Sequence, residues 1–357
     1  SAAGQAIEWG VRAALAGVEN MLCGYRVEVV SLNHRGNTRR SRNHIQQFIE
    51  DDRAIAMVGG VHSVPVLENL SLINESGVLF LAPWSAAAPI TRWQGDENWV
   101  FRLSIDDAKA GEFIVNWAQR KGYRRPFLLL ENTGWGQSNK VNMEKALKAH
   151  LVKPVGLEFF DWGVSDHTAK LMVQNAINAR ADVVLMVANT VEGEKIVRAL
   201  LALGGKKDFL GRIGPHMISQ IDLQFIQTDF SNFINQSNSV SRQAFDELIK
   251  MNSSLTKPSD LNPVVGFVHA YDLMRIFIAG VHQAGLTGNV VTDRLAIKQA
   301  LQNLQTKIDG IMMQYDKPFN GLKAQSDAHE ALTVAHYRMG RFRPDGSVVL
   351  EAGVITE

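Results

Sequence analysis

The chain has 357 residues, of which 46% are hydrophobic and 20% charged, and its 37 basic side chains nearly balance 36 acidic ones. This length exceeds one ordinary core and the apolar content excludes a disordered chain, so we expect two lobes. A net charge of +1 argues against nucleic acid or an anionic membrane surface as the main partner.

Three further features narrow the class of protein. The single Cys23 cannot form an intramolecular disulfide and lacks the spacing of a metal site. No run of about 18 uninterrupted apolar residues occurs, so the sequence predicts no membrane-spanning helix. Ser1 runs straight into a helical pattern without a signal peptide, and a mature or trimmed chain would look the same.

The first hundred residues alternate between helical and strand patterns. They predict helices over 2–19, 39–50 and 64–76 and strands over 25–30, 54–58 and 78–83. The strands are continuous apolar runs, which are typical of a parallel sheet covered on both faces. A doubly wound lobe normally opens with a strand. Either the first strand lies before Ser1, or this lobe is built unusually.

The pattern restarts after residue 104 and predicts a second lobe of the same kind. It contains helices over 108–121, 139–149, 168–179 and 192–203 and strands over 126–130, 156–160 and 182–187. Later segments predict helices over 245–251, 264–284 and 294–304, and a hairpin over 335–354 turning at Asp345-Gly346. The predicted fold class is therefore α/β, with two doubly wound parallel-sheet lobes.

Motifs for enzymes, metals and cofactors are incomplete. No G-x-G-x-x-G follows a strand, and Gly204-Gly205-Lys206-Lys207 lacks most of a P-loop and is better interpreted as a helix C-cap. Gly60-Val61-His62-Ser63-Val64 lacks the second glycine of a nucleophile elbow. His329-Glu330 lacks the second histidine of a zinc motif. We therefore expect no catalytic activity, metal or cofactor.

Two loops at predicted strand ends of the first lobe suit a ligand. Ser63 follows Gly59-Gly60 at or near a helix N-cap, where backbone N–H groups attract an anion such as a carboxylate. An ordinary N-cap serine is the competing interpretation. The small residues around Trp84, Ser85 and Ala86 allow a ligand to approach the backbone closely. Open α/β sheets bind ligands at such strand ends.

Three strand ends of the second lobe carry further candidates. Trp135 lies between two glycines and suits stacking on a small molecule, although it could merely pack locally. Asn189 and Thr190 end another strand, and His216 follows a predicted further one.

The order and spacing of many short segments carry a resemblance to a known family. The segments are Asp51-Asp52, Val58-Gly59-Gly60, Ser63, Asn74-Glu75-Ser76-Gly77-Val78, Ala82-Pro83-Trp84-Ser85-Ala86, Thr91, Val100-Phe101-Arg102, Gly134-Trp135-Gly136, Ala181-Asp182-Val183-Val184, Ala270-Tyr271-Asp272, Ala284-Gly285, Gly310, Tyr315 and Pro318-Phe319. Together they resemble type I periplasmic solute-binding proteins, and more narrowly the leucine/isoleucine/valine-binding family that feeds ABC transporters.

The resemblance implies a ligand held between two lobes that close by a three-segment hinge. Lobe 1 would comprise 1–104 and 240–322, and its first strand would precede Ser1. Lobe 2 would comprise 105–239 and 323–357. It implies a periplasmic or other extracytoplasmic location and a membrane permease as partner. The first alternative is the ligand-sensing domain of a membrane signalling receptor, and the second is an enzyme of a two-domain α/β type.

Matching positions imply roles for the candidates. Ser63, Ser85 and Ala86 match residues that bind a ligand carboxylate, and Trp135 matches an aromatic that closes over the ligand. Asn189 and Thr190 match cleft-lining positions. Trp84, together with Trp135, suggests an apolar or aromatic remainder of the ligand.

His216 stands where amino-acid binders usually place an acid for the ligand ammonium. This favours, by a small margin, a small carboxylate without an α-amino group, with hydrophobic amino acids a close second. Alternatively, His216 caps a turn and another acid, such as Glu192, binds the ammonium.

Overall fold

The computed structural model describes residues 1–95, 97–204, 224–323, 325–342 and 348–350. The chain forms two compact units: unit 1 comprises Ser1–Ile105 and Thr228–His336, and unit 2 comprises Asp106–Gln227 and Tyr337–Glu357. The chain therefore passes between the units three times. The crossing expected near Ser104 lies beside the first passage, the one near Ser239 follows the second, and the one near Leu322 precedes the third.

Unit 1 is built around a parallel sheet whose strands lie in the order Met57–Val58, Phe80–Ala82, Val100–Arg102. Its helices span Ala2–Ala16, Thr38–Glu50, Ser63–Leu67, Leu70–Glu75, Ser231–Ile234, Ser239–Met251, Val264–Ala284 and Val290–Gln302. Short 3-10 helices span Ala88–Thr91, Pro258–Asp260 and Val334–His336. Two antiparallel pairs join Met21–Leu22 to Tyr25–Arg26 and Ile308–Asp309 to Gln314–Tyr315.

Unit 2 contains a second parallel sheet, with Pro126–Glu131 between Gly156–Phe160 and Val183–Val187. Its helices span Asp107–Arg120, Gly134–Ala149, Asp166–Asn178 and Thr190–Gly204. A further sheet has the strand order Val348–Leu350, Tyr337–Phe342, Gln224–Thr228. The two parallel sheets confirm the predicted fold class. The strands Tyr337–Phe342 and Val348–Leu350 pair antiparallel, which confirms the predicted hairpin. Its turn at Asp345-Gly346 lies outside the described residues.

Two predictions for unit 1 are wrong in detail. The strand predicted over 25–30 contributes only Tyr25–Arg26, which pairs with the preceding two residues. The helix predicted over 64–76 is two helices separated at Asn69. The Asn69 amide donates to the carbonyls of Pro65, at 2.8 Å, and Thr38, at 3.3 Å, and so ties the break to a neighbouring helix.

The helix Val264–Ala284, here called the central helix, forms the core of unit 1. It packs against Ala2–Ala16 and Val290–Gln302. By length and by a mean hydropathy of 1.5 it could cross a membrane, but 78% of that apolar window is buried within the protein. The core of a folded unit accounts for its composition, as for any buried helix that is apolar all round.

Asp272 on the central helix anchors the antiparallel pair of residues 308–315. Its Oδ1 accepts from the Ile311 N–H at 2.6 Å, and its Oδ2 accepts from the Met312 N–H at 3.0 Å and the Tyr315 hydroxyl at 2.8 Å. Burial raises the pKa of Asp272 to about 6, against the opposing effect of these donors. One carboxyl thus satisfies three donors, two of them buried.

We expect Asp272→Asn to lower the free energy of unfolding by about 1–3 kcal/mol, because the amide nitrogen would face N–H and O–H donors. Urea unfolding measures the change. The control is Asp309→Asn, since Asp309 is exposed and accepts from Gln314 on the same strand pair. Equal, small effects of both substitutions would contradict the anchoring role.

Candidate functional site

The parallel register of unit 1 brings two loops to one edge of the sheet. Met57 pairs with Phe80, and Phe80 with Val100, so the loops that follow these strands start at the same edge. Gly60 has φ +85, and a Cβ there would lie 2.7 Å from Ser85 Oγ. Only glycine fits, because both the backbone conformation and the neighbouring hydroxyl exclude a side chain.

Ser63 ties these two loops together. It is the first residue of the helix Ser63–Leu67, whose N-cap is His62, and its buried hydroxyl accepts from the Ala87 N–H at 3.2 Å. The helix has five residues, so its dipole adds little, and the hydroxyl serves the loop rather than the helix N-terminus.

The fully buried Arg102 holds the second loop from behind. Its Nη1 donates to the carbonyls of Ser85, at 3.2 Å, and Ala87, at 2.9 Å. Its Nη2 lies 2.8 Å from Glu330 Oε1, and the Thr91 hydroxyl donates to the same oxygen at 2.7 Å. The buried guanidinium is therefore charge-paired while it fixes two carbonyls.

Two neutral side chains bind two further carbonyls of this loop. His269 Nδ1 donates to the Pro83 carbonyl at 3.1 Å, and the Ser104 hydroxyl donates to the Trp84 carbonyl at 2.9 Å. A carbonyl accepts only, so His269 carries its proton on Nδ1 and its Nε2 accepts from the Thr228 hydroxyl at 2.8 Å.

The opposite side of the loop offers donors. Across the described ranges, the N–H groups of Trp84, Ser85 and Ala86 make no hydrogen bond. Ser85 Oγ is buried and has no partner either, in a residue that is 1% exposed. Because four loop carbonyls, those of Pro83, Trp84, Ser85 and Ala87, are already bonded, this loop presents an excess of hydrogen-bond donors, which suits an anion.

Burial lowers the pKa of His269 to about 4, against an opposing hydrogen bond to Pro83. An unfolded histidine titrates near its ordinary value of 6.5. The stabilisation from neutral His269 is therefore present above pH 6.5 and is lost as the pH falls through about 4.

As the pH falls from 6.5 to about 4, protonation of His269 should lower the free energy of unfolding of the native protein by up to about 3 kcal/mol. His269→Gln keeps one donor and one acceptor without a titrating group, so it should lose less between pH 7 and pH 4. Urea titrations at both pH values measure the difference. His329, with a pKa also lowered to about 4 mainly by burial, is present in both proteins and cancels. Identical pH dependence of the two proteins would contradict the assignment.

Unit 2 also collects strand ends at one sheet edge. Glu131 pairs with Phe160, and Leu130 with Val187, so the segments after all three strands start side by side. Asn189 and Thr190 follow the third strand, and Thr190 is the exposed first residue of the helix Thr190–Gly204.

Trp135 lies in the first turn of the helix Gly134–Ala149, which starts five residues before the predicted helix. Thr133 is its N-cap and accepts from the Gly136 N–H at 3.3 Å. A Cβ on Gly136 would lie 1.7 Å from the Glu131 carbonyl oxygen, so this glycine permits close packing of helix on strand. The half-buried Trp135 donates through Nε1 to Asp107 Oδ1 at 3.1 Å.

Glu131, which the sequence did not indicate, organises this edge. One of its oxygens accepts from Trp162 Nε1 at 2.6 Å, and the other accepts from the Asn189 N–H at 2.8 Å and side-chain amide at 2.6 Å. Glu192 Oε1 accepts from the Gly163 N–H at 2.9 Å, beside Trp162. An acid at the end of an apolar strand gives no periodic signal, so only the fold reveals these contacts.

The structure thus groups the candidates by unit. In unit 1, Ser63, Ser85 and Ala86 share one loop pair, and the half-buried Trp84 lies against the central helix near Gly266. In unit 2, Trp135, Asn189 and Thr190 all follow strand ends of one sheet. His216 lies outside the described residues, as do three of the four residues of 204–207. In the part of the chain that the structure describes, no group of His, Cys, Asp or Glu could hold a metal ion.

Comparison with known proteins adds a family and a fold. The profile described as "Periplasmic binding protein" matches residues 1–323. No curated protein matches the sequence significantly. A leucine-binding protein from Thermotoga maritima is 17% identical with a TM-score of 0.75, over 99% of this chain and 94% of that one.

Two solute-binding proteins of ABC transporters are similar to the same degree. One from R. palustris, in complex with benzoate, is 16% identical with a TM-score of 0.73, over 98% of this chain and 91% of that one. One from Rhodopseudomonas palustris HaA2, in complex with p-hydroxybenzoic acid, is 15% identical with a TM-score of 0.75, over 99% of this chain and 92% of that one. At these identities the likeness shows a shared fold.

Proposed function

Because the chain belongs to the periplasmic binding protein family, we propose that it captures a small amphipathic carboxylate outside the cytoplasm for an ABC transporter. The ligand is a hydrophobic amino acid or an aromatic or aliphatic acid. In this proposal the protein binds and releases its ligand unchanged and delivers it to a membrane permease.

The donor-rich loop of unit 1 carries the proposal. The N–H groups of Trp84, Ser85 and Ala86 and the buried Ser85 hydroxyl have no partner among the described residues, while Arg102 holds the loop carbonyls away from them. A carboxylate accepts several such donors at once, and charge-assisted hydrogen bonds are the stronger kind. Preorganised donors also reduce the entropy cost of binding.

Unit 2 supports the amphipathic part of the proposal. Trp135 and Trp162 both follow strand ends and suit an apolar or aromatic remainder. Asn189 and Thr190 remain proposed ligand contacts, and His216 stays a proposed contact from the sequence. Ligand contacts to both units would favour a closed state through differential affinity, which a permease can recognise.

Calorimetry with a paired panel tests the ligand class. Leucine, benzoate and p-hydroxybenzoate are the first probes, because structures with the same fold are described with these ligands or as binding leucine. Each is paired with its carboxamide, and leucine also with its keto acid. We expect acids to bind and carboxamides to bind at least tenfold more weakly. Equal binding of an acid and its carboxamide would contradict carboxylate recognition.

Ser85→Ala separates ligand binding from stability. Since the Ser85 hydroxyl has no partner, its removal should leave the free energy of unfolding unchanged or slightly higher. A lost hydrogen bond to a carboxylate should reduce affinity about 10- to 100-fold. Ser63→Ala is the contrasting variant, because it removes a bond within the protein. Unchanged affinity of Ser85→Ala, measured by calorimetry, would exclude the hydroxyl as a contact.

A further inference from the structure

We propose that Glu131 fixes the indole of Trp162 as a stacking surface, so that unit 2 selects aromatic over aliphatic carboxylates. The inference rests on the proposed function and narrows its ligand class. Trp162 is the ligand-contacting ring in this proposal, and Glu131 is a positioning residue that acts through it.

The hydrogen bonds of Glu131 define the positioning role. Its carboxylate, in a residue that is 1% exposed, accepts three N–H groups, one from the Trp162 ring and two from Asn189. No Lys, Arg or His forms an ion pair with it in the described ranges. Two segments that follow different strands are thereby held by one side chain.

The energetic cost of burying the Glu131 carboxylate indicates that it does more than fill space in the core. A buried carboxylate without a cation is costly, and a neutral residue would pack more cheaply. Only a carboxylate, however, accepts on both oxygens and offers no competing donor. The ring N–H of Trp162 and the backbone and amide of Asn189 all need acceptors, so the charge is used to orient them.

Trp162 is presented in the way that a stacking ring requires. It follows the strand Gly156–Phe160 and is 45% exposed although its N–H is bonded inside the protein. The next residue, Gly163, donates its N–H to Glu192 Oε1 at 2.9 Å, which fixes the turn at a second point. An indole that is 45% exposed while its N–H is bonded inside the protein keeps ring surface at the exterior, and an aromatic ring can stack on such a surface.

A pair of ligands with the same carboxylate tests the selectivity. Benzoate and cyclohexanecarboxylate are similar in size, and only the first is aromatic. We expect native protein to bind benzoate ~3- to 10-fold more tightly, the worth of one aromatic pair. Trp162→Leu should lower the affinity ratio, with any remaining preference due to Trp135, whereas Trp162→Phe, which keeps a ring, should retain most of the ratio.

Glu131→Gln tests the positioning role with a matched control. The glutamine amide would face N–H donors, so the ring should lose its fixed orientation and the affinity ratio should fall. Glu158→Gln makes the same substitution on the adjacent strand, where the carboxylate accepts from Asn175 at 2.8 Å, and should leave the ratio unchanged. Circular dichroism confirms folding, and the Trp162 variants decide the matter if Glu131→Gln fails to fold.

The outcomes separate this inference from the proposed function. Carboxylate binding with an unchanged ratio in Trp162→Leu would overturn the inference and leave the proposed function standing. Binding of neither carboxylates nor amino acids by the native protein would overturn both. A ratio that falls in Trp162→Leu and Glu131→Gln, but not in Trp162→Phe or Glu158→Gln, supports the inference.

Discussion

The buried Arg102 guanidinium is the interaction on which the donor-rich loop of unit 1 depends. It ends a strand of the parallel sheet, is fully buried and is paired with Glu330. Its N–H groups need acceptors, and besides Glu330 and the Thr91 hydroxyl it binds the carbonyls of Ser85 and Ala87, which it holds inward. The loop then has donors left for a ligand.

Unit 2 uses the opposite charge at a comparable place. Glu131 ends the central strand of its sheet and collects N–H donors from Trp162 and Asn189. A buried cation binds acceptors, so the N–H groups of the loop stay available. A buried anion binds donors, so the N–H groups of Trp162 and Asn189 are already used at the edge of unit 2. The two buried charges therefore give the two sheet edges different chemistry.

Much of the fold could be predicted from periodicity, since long amphipathic or apolar segments such as 264–284 and 156–160 depend little on their partners. The strand predicted over 25–30 failed because an apolar pattern forms a strand only where a partner pairs with it. The early start of the helix Gly134–Ala149 was missed because glycines suggest a loop, and the Thr133 cap and close packing on Glu131 are visible only in the fold.

The candidate site was only partly predictable, because it too depends on tertiary contacts that are visible only in the fold. Strand-end position and residue size pointed to Ser63 and Ser85, because loop chemistry is local. Which atoms of those loops are already bonded depends on tertiary contacts of Arg102 and His269, and a sequence pattern does not show which carbonyls these two side chains bind. Glu131 was missed because its role arises from contacts 31 and 58 residues away.

A crystal structure with the tightest-binding carboxylate tests the central claim most directly. The account predicts the ligand carboxylate within hydrogen-bond distance of the Ser85 hydroxyl and of the N–H groups of Trp84, Ser85 and Ala86, with Arg102 still bound to the loop carbonyls. A carboxylate bound elsewhere, with these donors bonded only to water, would contradict it.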